Sequence, residues 1–138
     1  MSTGRVLALD YGTRRVGVAV SDPLGISAQA HSVLDGADPG LMGNISRLAT
    51  ELGAERIVVG LPLSLDGSEG PAAAAVRRFA AEVGAATGLP IELLDERFTT
   101  VSADRVLVEA GLSERRRRGV RDRVAAAVLL QSYLDGGR

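Results

Sequence analysis

The stretch VLALDYGTRRVGVAVSD, Val6 to Asp22, decides how the rest of the chain is read. Val6 to Leu9 is a short apolar run, the signal of a strand buried on both faces. It stops at Asp10. Tyr11-Gly12-Thr13 follows as a turn signal, with Gly12 free to take positive φ or to let another backbone or a phosphate come close. Val16 to Val20 is apolar and β-branched again, bounded by Ser21-Asp22-Pro23. The spacing predicts a β-hairpin with a loop of a few residues. Asp10 then stands where a central strand opens into a turn. Aspartate is also an ordinary turn residue, so its chemistry depends on whether other carboxylates converge on it.

Beyond the hairpin, Ser27 to Leu34 alternates weakly and predicts a third strand, with His31 in a structural role on an edge. Asp38 is placed to cap a helix with Pro39 at its first position. Leu41, Ile45, Leu48, Ala49 and Leu52 recur at helical spacing, and Gly53 can end that helix. Arg56 to Gly60 is apolar enough to predict a central, parallel strand. The loop from Leu61 to Pro71 carries turn signals at Asp66-Gly67 and Gly70-Pro71, at a strand end where α/β proteins place ligands. Ala72 to Ala86 reads as a helix with Val76, Phe79, Ala80 and Val83 on one face. Ile91 to Leu94 is a fifth strand, again ending in acids, Asp95-Glu96. A helix capped at Thr99 or Thr100 should end at Gly111. A basic connection, Arg115 to Arg118, leads to a last helix from about Val120 to Leu134. The order β-β-β-α-β-α-β-α-α implies an α/β fold with a mixed sheet, one domain over residues 1–138.

Composition sets the outer limits. The chain has 138 residues, is 46% hydrophobic and 24% charged, and so has the balance of a soluble globular protein. There is no cysteine and one histidine, which excludes thiolate metal sites and leaves little room for a zinc site. No basic-then-apolar leader and no membrane-length apolar run is present, so a cytoplasmic protein with no membrane partner is expected. Net charge is −1, which is not the global signature of a nucleic-acid binder. All 16 basic residues are arginine, largely a GC-rich codon bias, yet their placement is informative.

Three carboxylates stand where they can meet. Asp10 and Glu96 both follow buried strands, and parallel strands would bring them to one sheet edge. Glu96 could equally belong to a solvated cluster at a helix start. Asp122 shares a helical face with Ala125, Ala126, Leu129 and Tyr133, so it points into the protein or caps the helix. Gathered carboxylates repel and raise one another's pKa. A hard divalent cation relieves that, and an all-oxygen donor set suits Mg²⁺ or Mn²⁺. Such a site fits phosphodiester hydrolysis, with the arginine run holding a polyanion against the acids.

The blocks LALDYGTRRVGVAVSD, IVVGLPLSLDGSEGP, LLDERFTT and DRVAAAVLLQSYLD, in this order and spacing, resemble the YqgF/RuvX family over essentially the whole chain. The resemblance implies a ribonuclease H-like fold: a five-stranded mixed sheet, second strand antiparallel, flanked by helices. It implies a nuclease acting on structured RNA such as pre-16S rRNA in ribosome biogenesis, or a Holliday junction resolvase acting on branched DNA, as a monomer or homodimer. By motif, Asp10, Glu96 and Asp122 match the family's metal-holding acids. Arg115, Arg116, Arg117 and Arg118 match its basic run, and Arg14 and Arg97 match basic positions in their blocks, all nucleic-acid contacts. Arg121 departs from the pattern, since an aliphatic residue commonly precedes the last acid, and an arginine there could pair with Asp122. Two other classes remain open from the residues: a non-catalytic RNA-binding module in ribosome assembly, and a relative of the actin-like kinases, whose phosphate loop the DYGT turn resembles.

Overall fold

The computed structural model describes residues 4–12, 14–96 and 124–137. Five strands, β1 (Arg5–Tyr11), β2 (Arg15–Ser21), β3 (Ala28–Asp35), β4 (Ala54–Leu61) and β5 (Ile91–Asp95), form one sheet in the order β3-β2-β1-β4-β5. β2 runs antiparallel to both β1 and β3, while β4 is parallel to β1 and to β5. This is the mixed sheet the sequence predicts, with β1 at its centre and the second strand reversed.

The apolar runs at β1 and β4 are buried on both faces because helices cover both. On one face, Leu7, Leu9, Val16, Val18, Ile57 and Val59 meet α1 (Leu41–Leu52) and α2 (Pro71–Thr87). The predicted α2 stripe of Val76, Phe79, Ala80 and Val83 is buried against them. On the other face, Val6, Ala8, Ala19 and Val58 meet Ala126, Leu129, Leu130 and Tyr133. Those four lie on or just after the helix over residues 124–132, here α3, which a wider turn at Tyr133–Gly137 follows. Fully burying one such Leu or Val is worth about 1.5–3 kcal/mol, so the strands' position is strongly specified.

Two local expectations are corrected. Asp38 does not cap α1: the helix starts at Leu41 with Gly40 as N-cap and no side-chain cap. The Asp38 carboxylate instead accepts the Gly40 N–H at 2.7 Å and Asn44 Nδ2 at 3.1 Å, which closes a turn before the helix and leaves Pro39 outside it. Gly12 does not have positive φ. Its N–H donates to the Arg15 carbonyl at 2.8 Å, and a Cβ on it would lie 2.9 Å from that oxygen, so close backbone approach is what the position requires. Gly53 does end α1 in the left-handed region, with its N–H bonded to the carbonyls of Ala49 and Thr50. His31 is exposed on edge strand β3, its Nδ1 2.9 Å from Ser32 Oγ. The helix expected between Thr99 and Gly111 and the run Arg115–Arg118 lie outside the described residues.

Candidate active site

Side chains alternate along β1, so Leu7 and Leu9 face α1 and α2 while Val6, Ala8 and then Asp10 face the α3 side. Asp10 lies at the carboxyl edge of the sheet, one residue before β1 ends at Tyr11. Leu94 of β5 also packs on the α3 side, and Glu96 follows one residue beyond the strand. Because β1, β4 and β5 are parallel and adjacent, Asp10 and Glu96 converge on one edge, and their carboxyl groups hydrogen-bond each other. That pair is the expectation drawn from the two strand ends, realised.

The pair can exist only if one member carries a proton. Burial pushes Glu96 up to about 9, with the hydrogen bond it donates to Asp10, the Asp10 charge and the Asp95 charge acting in the same direction. Two half-buried carboxyl groups in contact, one of them pushed toward its neutral form, make a compact set of oxygen donors. Its chemistry fits a hard divalent ion, which would displace the proton and satisfy both groups.

Two glycines shape the surroundings. Gly17 on β2 stands directly opposite Asp10 in the ladder. Gly60, at the end of β4, lies against Glu96: a Cβ there would come within 2.6 Å of Glu96 Cγ and Cδ. Both glycines alternate onto the α3 side of the sheet, as Asp10 does, so the positions beside the pair carry no side chains. The sequence reading passed over both. A glycine at the end of an otherwise apolar strand was the available signal.

The other predicted residues divide into two groups. Arg14 is exposed in the β1–β2 turn, on the same edge as the pair. Asp122, Arg97, Arg115, Arg116, Arg117 and Arg118 lie outside the described residues. Among the described residues no group of three or more His, Cys, Asp or Glu is gathered tightly enough to hold a metal. The direction of α3 is nevertheless fixed. Arg56 Nη1 donates to Tyr133 Oη at 2.8 Å, and Arg56 pairs with Val6 at the start of β1. Gln131 accepts the Ala28 N–H at 2.9 Å and donates to the Ile26 carbonyl at 3.1 Å, beside the far end of β2. So α3 runs antiparallel to β1, and its first described residue, Val124, is at the end toward Asp10.

Comparison with known proteins gives the family. A family model described as "RuvX: Holliday junction resolvase" matches residues 4–136. The chain belongs to the RuvX family. A relative from Moorella thermoacetica, named "Putative pre-16S rRNA nuclease", is 50% identical over 135 residues, covering 95% of this chain and 94% of its own. One of the same name from Syntrophomonas wolfei is 44% identical over 136 residues, covering 96% and 95%. Among solved structures, Thermus thermophilus RuvC in complex with a Holliday junction substrate matches 97% of this chain and 96% of its own, with a TM-score of 0.60 and 18% identity. A second Thermus thermophilus RuvC structure matches with a TM-score of 0.54 at 14% identity. The RuvX chain thus has the ribonuclease H-like fold. No helix among its described residues is long and apolar enough to cross a membrane.

Proposed function

We propose that this RuvX protein is a cytoplasmic, metal-dependent endonuclease that hydrolyses phosphodiester bonds in structured RNA, trimming the 5′ end of pre-16S rRNA. The observation that carries the reading is the hydrogen-bonded Asp10–Glu96 pair at the carboxyl edge of three parallel strands. The relatives named for pre-16S rRNA support the substrate.

Asp10 and Glu96, joined by Asp122, would hold Mg²⁺ or Mn²⁺. Such an ion, when bound, supplies positive charge that acidifies water and stabilises the leaving oxygen. The direction of α3 supports the role of Asp122, two residues before Val124 at the end nearer the pair. Gly60 leaves room for the Glu96 side chain to lie against β4, and Gly17 adds no side chain opposite Asp10, so the carboxylates stay open to a phosphodiester backbone. Arg14, with Arg97 and Arg115–Arg118, holds flanking phosphates against the repulsion of the acids.

The family's description favours a second reading, a resolvase of four-way DNA junctions acting as a homodimer with two sites facing one junction. Cleavage of a 5′-extended pre-16S RNA with Mn²⁺ or Mg²⁺, by wild type and Asp10→Asn purified in parallel, tests the proposal. Metal-dependent cleavage absent from the variant is the expected result. Cleavage of branched DNA but not RNA would replace it with the resolvase. Inactivity on both, with RNA binding retained, would leave a ribosome-assembly module.

A further inference from the structure

A cavity of about 310 Å³ opens between the end of β1, the start of α1 and the middle of α2. Its walls include Tyr11, Met42, Arg78, Phe79 and Glu82. Tyr11 follows Asp10 in the chain, so their Cα atoms are about 3.8 Å apart and their side chains point to opposite faces of the sheet. The cavity therefore lies just around the sheet edge from the carboxyl pair.

The aromatic wall is a stacked pair of rings. The Tyr11 and Phe79 rings stack with centroids 4.4 Å apart and planes 26° from parallel, and Phe79 is buried from solvent behind the cavity. Two charges project beside it. Arg78 and Glu82 are four residues apart on α2 and share a helical face. Neither makes a hydrogen bond or ion pair with another described residue. The neighbouring Arg77 behaves differently, since Glu69 holds it through two bonds of 2.7 and 2.6 Å. The third charge on the wall, Asp38, is already committed to Gly40 and Asn44. Among the described residues, the cavity thus offers one uncommitted cation, one uncommitted carboxylate, an aromatic platform and a polarisable thioether.

We propose that this cavity is a nucleotide subsite for a base that carries an exocyclic amino group. The idea rests on the nuclease reading, as the subsite for a nucleotide neighbouring the bond presented to Asp10 and Glu96. Arg78 pairs with the phosphate. Glu82 accepts from the amino group, which adenine, cytosine and guanine possess and uracil lacks. Tyr11 and Met42 contact the base face. The volume is at the lower end of small-molecule sites, about 300–1,000 Å³, and accommodates one nucleotide rather than a run.

The test is titration of the full chain with AMP, CMP, GMP and UMP, followed by NMR of the ring resonances. The protein has only two tyrosines and two phenylalanines, so the Tyr11 and Phe79 signals are separable by Tyr11→Phe and Phe79→Leu spectra. Saturable shifts at both rings are expected, with UMP about tenfold weaker than the others. Arg78→Ala should weaken all four about tenfold, and Glu82→Gln should bring UMP level with the rest. Ala75→Trp, which fills the cavity, should abolish binding. Because Arg78 and Glu82 are exposed, their variants keep the test decisive if Ala75→Trp does not fold. Unmoved ring resonances at millimolar nucleotide, or affinities unchanged in both α2 variants, would overturn the subsite. Nucleotide binding is read without cleavage. An active nuclease with no nucleotide binding refutes the subsite alone, whereas binding without metal-dependent cleavage refutes the nuclease reading.

Discussion

Gly60 and Glu96 are in contact through the only side of Gly60 where a side chain could stand: a Cβ would meet Glu96 Cγ and Cδ at 2.6 Å. The last residue but one of β4 therefore sets how deeply the β5 acid sits beside Asp10. Gly60→Ala must push the carboxyl away or tilt the strand end. The expected loss in cleavage rate is about 100-fold, the usual consequence of misplacing a reacting group by about 1 Å. Thermal unfolding should shift far less than activity, and a rate within twofold of wild type would show that the contact is not needed.

The raised Glu96 carboxyl makes stability and the proposed metal binding depend on pH in opposite senses. Glu96 is pushed from 4.5 up to about 9 in the folded protein. Its contribution to stability is fully present below pH 4.5 and is lost as pH rises toward 9. The thermal midpoint of the metal-free protein should fall across that interval, and Glu96→Gln should flatten the fall. Conversely, Mn²⁺ held by Asp10 and Glu96 at neutral pH should expel the Glu96 proton. Calorimetry in buffers of different ionisation enthalpy should count about one proton released, with affinity rising toward pH 9. No proton release would mean the cation binds elsewhere.

Asp122→Asn gives a separate check on the third acid. If it completes the donor set, the variant should keep wild-type thermal stability without metal, bind Mn²⁺ at least tenfold more weakly, and cleave at the background rate. Mn²⁺ affinity equal to wild type would leave a donor set of two acids.

Tyr133→Phe isolates the anchor of α3. The ring is 1% exposed and its hydroxyl accepts from Arg56 Nη1 at 2.8 Å. Loss of a hydrogen bond to a charged group should cost about 1.5–3 kcal/mol in denaturant unfolding. Arg56 also approaches Glu92 at 3.5 Å, but both side chains are about two-fifths exposed, so Glu92→Gln should cost well under 1 kcal/mol.

Replacing Arg115–Arg118 by serine tests the polyanion contact. For a single-stranded substrate each neutralised phosphate contributes about 0.7 to the slope of log affinity against log salt. Four contacts would remove about 2.8 from that slope, and weaken binding of all sequences alike. An unchanged slope would mean that the run meets no phosphate.

The sheet was legible because its signals are local. Apolar runs ending at Asp10, Gly60 and Asp95 mark strand ends, and Pro71 and Gly53 mark helix ends. The convergence of Asp10 and Glu96 was also accessible, since parallel crossovers bring strand carboxyl ends to one edge. What could not be read came from groups far apart in the chain. Gly17 and Gly60 acquire their meaning only once β2, β1 and β4 are side by side. The pairing of Tyr11 with Phe79 joins residues on a strand and a helix with no shared motif. Asp38 was misread because a capping aspartate and a turn-closing aspartate have the same local sequence, and Gly40 decides between them.

The central place of β1 has a consequence for how the protein is made. β1 acquires β2 as a neighbour almost at once, but its other partner, β4, ends at Leu61. At about 5–20 residues per second, ribosomal synthesis leaves that second edge of β1 without its mate for about 3 to 10 s. Throughout that interval the nascent chain presents an apolar strand edge that invites mispairing. The carboxyl pair is also incomplete, because Asp10 emerges long before Glu96. The two events are thus separated in time: the edge closes first, and the carboxyl pair forms only afterwards.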